Sequence, residues 1–123
     1  MKYMLLMYGD ESKGPQTPEE HEAHKPEAWF ALMDEMKTAG VLVTQNGLSP
    51  IATATTVRVR EGKALITDGP FAETHEQLGG FFLLNCKDLD EALRWAAKIP
   101  SATLGSIEVR PLWSPDLRVL RQF

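Results

Sequence analysis

Residues 67–84 constrain the fold more than any other stretch of the chain. A strand ends there at Thr67-Asp68, the chain breaks at Gly69-Pro70, and Glu73, His75 and Glu76 follow close together. A new strand then begins through Gly79-Gly80. Glycine reaches backbone angles closed to other residues, while proline fixes φ and restricts the residue before it. The connection is thereby pinned into one shape. Phe81-Phe82-Leu83-Leu84, the most apolar run in the chain, reads as a strand buried on both faces. A polar loop clamped between a strand end and a core strand is a good place for a site.

The rest of the chain supplies elements around that loop. Lys2 to Tyr8 is a continuous apolar run ending at Gly9-Asp10, a core strand. Thr17-Pro18-Glu19-Glu20 is a capping box, with Thr17 as N-cap, Pro18 at the first helical position and Glu20 returning the bond. This helix is predicted to run to Ala39 and stop at Gly40, with an apolar stripe of Trp29 or Phe30, Met33, and Met36 or Lys37. An interior proline removes a hydrogen bond and clashes with the preceding turn, so Pro26 predicts a kink or a fresh start near Lys25.

Val41 to Thr44 reads as a strand. Thr55 to Arg60 alternates strictly and turns through Glu61-Gly62 into Lys63 to Thr67, a β-hairpin. After residues 80–86, another strand, Asp88 opens a second helix with Glu91 three positions on. Its expected apolar face is Leu89, Ala92, Leu93, Ala96 and Ile99, and Pro100 ends it. Ser106 to Leu112 is the last strand, with Ile107 and Val109 inward. Residues 113–123 form an apolar tail containing Trp113, Leu117, Val119, Leu120 and Phe123. With the hairpin set aside, the order is strand, helix, strand, strand, helix, strand. That is the α+β, ferredoxin-like split pattern, with a hairpin inserted between its second and third strands.

A chain of 123 residues makes a single domain over 1–123 with one core. The formal charge of −4 argues against nucleic acid as a partner, because phosphate binding needs a basic face. No apolar run approaches the roughly 20 residues of a membrane span. Cys86 is the lone cysteine and has no intrachain partner, which fits a reducing cytoplasm. A soluble cytoplasmic protein is expected.

Asp68-Gly69-Pro70-Phe71-Ala72-Glu73-Thr74, followed by Glu76-Gln77-Leu78-Gly79-Gly80-Phe81, resembles the signature of the DGPF group of YCII-related proteins. Met1 to Asp10, Ala52 to Arg58 and Ile107 to Leu112 resemble that group as well, so the likeness extends over nearly the whole chain to about Leu112. The group usually carries lysine where this chain has His75. The resemblance implies a ferredoxin-like domain paired as a homodimeric α+β barrel. It also implies a small polar or aromatic ligand held without a cofactor. Some relatives are thought to use a histidine–aspartate pair, and one is a dehydrochlorinase of a hydroxylated aromatic.

Asp68 is the first candidate for chemistry, since a carboxylate at a strand end can serve as a base if partial burial raises its pKa. The competing reading is that it only bonds the backbone of the Gly69-Pro70 turn. Glu73, His75 and Glu76 share its loop, and histidine exchanges protons near neutral pH. An exposed polar loop would look the same. His21 and His24 lie three apart on one helix, but no third ligand has a metal-site spacing. His24 has two further readings, a partner for Asp68 at the mouth of a cleft or part of a solvated helix face. Arg58 with Arg60 suits an anion or a solvated sheet face, and Tyr8 offers a hydroxyl to the same cleft. Phe71 and Glu76 complete the expected lining. Two functions follow: a cofactor-independent enzyme or ligand-binding protein acting through the Asp68–Glu76 loop, or a non-catalytic accessory protein. The second comes from the resemblance, because DGPF proteins often occur beside extracytoplasmic-function sigma factors.

Overall fold

The computed structural model describes residues 1–113. The apolar tail expected over 113–123 therefore falls outside the described residues except for Trp113, which is exposed. In chain order the elements are strand β1 (Lys2–Gly9), helices α1 (Pro18–Ala23) and α2 (Pro26–Thr38), and strands β2 (Leu42–Gly47), β3 (Thr55–Arg60), β4 (Lys63–Asp68) and β5 (Gln77–Asn85). Helix α3 (Leu89–Ala96), a 3₁₀ turn (Pro100–Thr103) and strand β6 (Ser106–Pro111) follow. Four strands form one sheet in the order β2-β5-β1-β6, with every neighbouring pair antiparallel. Among the described residues, β3 and β4 pair only with each other. The architecture is α+β with an antiparallel sheet, consistent with a ferredoxin-like fold.

Local chemistry sets the helix boundaries. Thr17 caps α1 by accepting from the Glu20 N–H at 3.1 Å. The return bond differs from the expected box, because Glu20 Oε2 accepts from Gln16 N at 2.7 Å, one residue earlier than Thr17. Asp88 and Glu91 repeat this geometry at α3, where Asp88 Oδ1 takes Glu91 N and Glu91 Oε1 takes Lys87 N. Pro26 does produce a fresh start. Lys25 is extended at ψ 148, as a residue before proline prefers, and α2 begins with Pro26 in its first turn. Gly40, at φ 74, ends that helix.

Helices α2 and α3 pack on one face of the sheet. Tyr3, Leu5, Phe82 and Leu84 point into a core with Leu32, Met36, Ala92, Ala96 and Ile99. Burying each large apolar side chain contributes about 1.5–3 kcal/mol. Residues directly opposite across a ladder share a face. Leu5↔Phe82 and Tyr3↔Leu84 therefore face the helices, while Leu6↔Phe81 and Met4↔Leu83 face away. The run from Phe81 to Leu84 is accordingly buried on one face and only half-buried on the other, not fully on both as expected.

The stripe on α3 also differs from expectation. Leu89 and Leu93 are each 47% exposed, whereas Ala92, Ala96 and Ile99 are buried and Trp95 packs against them half-buried. Positions 92, 95, 96 and 99 follow the helical repeat, and the small alanines let the helix lie close to the sheet. On α2 the stripe is Trp29, Leu32, Met33 and Met36, and Phe30 lies outside at 62% exposed.

Candidate functional site

An antiparallel sheet brings the C-terminal ends of β1 and β2 beside the starts of β5 and β6. The register pairs Gly9 with Gln77, Gly47 with Gly80 and Tyr8 with Ser106. Two glycines let backbones crowd at this end. A Cβ at Gly80 would stand 2.7 Å from the Asn46 carbonyl oxygen, and one at Gly105 would be 3.1 Å from Gly9 Cα. Between this sheet end and the two N-terminal helices lies a cavity of about 770 Å³. Met7, Trp29, Met33, Phe82 and Leu104 provide its apolar wall. The Trp29 and Phe82 rings lie parallel within 1°, their centroids 6.5 Å apart.

His24 is one of the polar residues that line this cavity. It sits at the C-cap of α1, where Pro26 forces the chain to break, and its ring turns back onto its own helix. Nδ1 lies 2.8 Å from the Glu20 carbonyl oxygen. A carbonyl can only accept, so Nδ1 carries the hydrogen and, in the neutral ring, Nε2 is a bare acceptor. Among the described residues, Nε2 is buried without a hydrogen-bond partner, and so is Ser101 Oγ on the 3₁₀ turn. Both residues line the cavity. Buried polar atoms are rarely left unpaired, and two orphans in one cavity mark a place for a ligand's polar groups.

The sequence-predicted residues divide into two sets. Tyr8, His24, His75 and Glu76 line the cavity. Asp68, Arg58, Phe71 and Glu73 do not, and each is exposed. The loop itself splits in the same way. Its first half is tied to the hairpin: Gly69, at φ 95, donates to the Ala54 carbonyl at 2.7 Å, Thr56 Oγ1 donates to the Gly69 carbonyl, and Arg58 Nη2 donates to the Phe71 carbonyl. Its second half is tied to the cavity mouth. Thr74 Oγ1 and Gln77 Nε2 bond within the loop, Gln77 Oε1 accepts from Glu11 N at 2.8 Å, and Glu76 Oε1 accepts from Ser106 Oγ at 2.8 Å. Asp68 pairs with Thr55 in the hairpin ladder and forms no hydrogen bond or ion pair with His24, whose Nδ1 is bonded to the Glu20 carbonyl.

The mouth is acidic. Asp10, Glu11, Glu20 and Glu76 line it against a single lysine, Lys13. Hydrogen bonds from the Ser12 hydroxyl and then the Ser12 N–H hold the Asp10 carboxyl below the usual carboxylate range, with smaller help from Lys13 and His75. Among the described residues, no group of three or more His, Cys, Asp or Glu is placed to hold a metal ion. No helix there is long and apolar enough to cross a membrane. Sequence reasoning missed Trp29, Met33, Phe82 and Ser101 as cavity walls. The available signal was topological, since the strand order alone puts Gly9, Gly47, Gln77 and Ser106 at one end of the sheet.

Fold and cavity together define an α+β domain with a one-sided core and a pocket at the end of its sheet. The YCII-related domain matches residues 1–115, and the chain belongs to that family. It is also 40% identical over 114 residues to an uncharacterised protein of Rhizobium meliloti (strain 1021), covering 91% of this chain and 92% of that protein.

Proposed function

We propose that this chain is a cytoplasmic homodimer that binds a small organic molecule in the cavity and exchanges a proton with it through His24, without a cofactor. The observation that carries this reading is the buried, unpartnered Nε2 of His24, held in one tautomer by the Glu20 carbonyl. A fixed acceptor on a residue that lines an apolar-walled cavity is suited to take a proton from a bound hydroxyl, amine or acidic C–H. Tyr8, His75 and Glu76 are placed to orient the ligand at the mouth. Asp68, on the hairpin half of the loop and outside the cavity lining, is the competing candidate and is tested beside His24. The dimer pairs the sheet faces that carry Met4, Leu6, Phe81 and Leu83 into an α+β barrel, with β3–β4 as the inserted hairpin.

The test is a thermal-shift screen of the full chain against small acids, phenols, amines and lactones, with His24→Ala and Asp68→Asn in parallel. A ligand at 100 times its dissociation constant stabilises a fold by about 2.7 kcal/mol. A hit abolished by His24→Ala supports the reading, and a parallel loss in Asp68→Asn adds Asp68 to the site. Hits that all survive His24→Ala would sink it.

A second reading rests on the hairpin. Val57, Val59 and Ile66 are 63%, 62% and 72% exposed, and the ladder pairs Val57 with Ile66 on one face. Such an apolar face suits a protein contact, including the sigma-factor partnership suggested by the resemblance. A pull-down from the native cell with Val57→Lys as control tests it, and equal recovery of partners by both forms would count against it.

A further inference from the structure

We propose that the ligand of this cavity is an arylalkylamine, with a flat ring against Trp29 and Phe82, an O–H or N–H donating to His24 Nε2, and an ammonium group on its side chain at the mouth among Asp10, Glu11, Glu20 and Glu76. This rests on reading the cavity as a ligand site and adds the shape, polarity and sign of what fills it.

Three independent features converge. The inner polar atom is an acceptor, because the Glu20 carbonyl takes the only hydrogen of the neutral imidazole. A ligand therefore satisfies the neutral His24 ring by donating, whereas a carboxylate or carbonyl in that place pairs with Nε2 only after the ring has taken up a proton. Ser101 Oγ, the second orphan, both donates and accepts and so accommodates either partner of such a donor. The wall is aromatic and thioether, with Trp29, Phe82, Met7 and Met33, which favours a planar ring over a sugar or a short polar acid.

The charge at the mouth supplies the sign. Each of its carboxylates is oriented through one oxygen by a neutral donor: Asp10 by Ser12, Glu11 by Ile51 N, Glu20 by Gln16 N and Glu76 by Ser106 Oγ. The ion pairs among the described residues, Lys25–Glu22 and Lys98–Glu35, involve none of them. Lys13 is the one lysine or arginine lining the cavity among the described residues. The hydrogen bonds from Ser12 favour the charged form of Asp10 and lower its pKa from the ordinary value. Among the described residues, the mouth thus presents more negative than positive charge to whatever enters, attracting cations and repelling anions.

The experiment is calorimetric titration of the wild-type full chain at low ionic strength with probes of matched size. Tyramine carries a phenol and an ammonium, phenethylamine lacks the hydroxyl, and 3-(4-hydroxyphenyl)propanoate replaces the ammonium by a carboxylate. Tyramine is expected to bind about tenfold or more tighter than the propanoate, a preference that shrinks as salt screens the mouth. It is also expected to bind more tightly than phenethylamine. Asp10→Asn with Glu76→Gln should narrow the first difference, and His24→Ala should erase the second. Propanoate binding as tightly as tyramine overturns the inference while leaving the cavity reading intact. Failure of all three probes to bind also overturns it, whereas the cavity reading falls only if no compound in the broad screen gives a His24-dependent shift. The three probes are compared on the wild type, so a variant that fails to fold changes neither outcome.

Discussion

A methyl group added at Gly105 would overlap the Tyr8 carbonyl oxygen and stand 3.1 Å from Gly9 Cα. Backbone cannot swing aside as a side chain can, so the end of β1 and the 3₁₀ turn would have to part. Gly105→Ala is expected to destabilise the fold by about 1–3 kcal/mol in urea unfolding. It should also weaken ligand binding, because Tyr8, Gly9 and Gly105 all line the cavity. Gly9→Ala is the control, since nothing lies within 4 Å of its added Cβ. An unchanged midpoint for Gly105→Ala would show that the close approach is not needed. Cys86 makes a second residue-scale prediction. Burial, aided by the Glu91 carboxylate, pushes its thiol up. In the unfolded chain the thiol loses its proton near the ordinary value of 9.0, while the folded chain still holds it. Stability should therefore be unaffected by this group at neutral pH and fall as pH rises above about 9. Cys86→Ala should flatten that fall, and native Cys86 should react slowly with a thiol reagent until the protein unfolds. Rapid labelling of the native protein would contradict its burial.

Helix α1 has six residues and no buried side chain, so its own packing does little to hold it. A helix that short is marginal, and the Thr17 cap and the turn into α2 carry it. Thr17→Ala is expected to remove about 0.5–2 kcal/mol of local stability. Hydrogen exchange at Glu20 and His21 should speed up, and ligand affinity should fall because the Glu20 carbonyl no longer fixes the His24 ring. Asp88→Ala removes the matching cap from α3, far from the cavity, and should lower stability by a similar amount with affinity unchanged. If Thr17→Ala left affinity untouched, the tautomer lock on His24 would not depend on α1. These caps were legible in the sequence because a cap is a local affair of three or four neighbouring residues. The break at Pro26 and the stop at Gly40 were legible for the same reason. The face of α3 was harder, since Leu89 and Leu93 are the more apolar pair while Ala92 and Ala96 are the ones small enough to lie against the sheet. The cavity was least legible of all. Its walls come from separate segments, and Trp29, Phe82 and Ser101 meet only through tertiary packing. The Asp68–Glu76 loop looked like one site in sequence, but its hydrogen bonds divide it between the hairpin and the cavity mouth.

At the scale of the whole molecule the sheet is lopsided. Its helix face is closed by Leu32, Met36, Ala92 and Ile99, whereas Met4, Leu6, Phe81 and Leu83 lie on the opposite face, with no helix of the described residues over them. Cross-strand pairing sets Leu6 beside Phe81 and Met4 beside Leu83, which makes the apolar surface continuous across the two central strands. Glu108 and Arg110 flank it from β6, opposite Leu6 and Met4. An apolar centre with a charged edge is the usual anatomy of a protein interface. The expected outcome in light scattering is a dimer for the wild type and a monomer for Leu83→Arg, because a buried unpaired charge costs several kcal/mol. For a dimer held at about 1 μM, a loss of roughly 4 kcal/mol would raise the dissociation constant about a thousandfold, beyond ordinary working concentrations. The variant should still fold, since Leu83 faces away from the core, and its circular-dichroism melt checks that. A folded Leu83→Arg that remained a dimer would move the interface elsewhere, and the β3–β4 hairpin would be the next surface to mutate. A wild type that is monomeric at every concentration would sink the barrel.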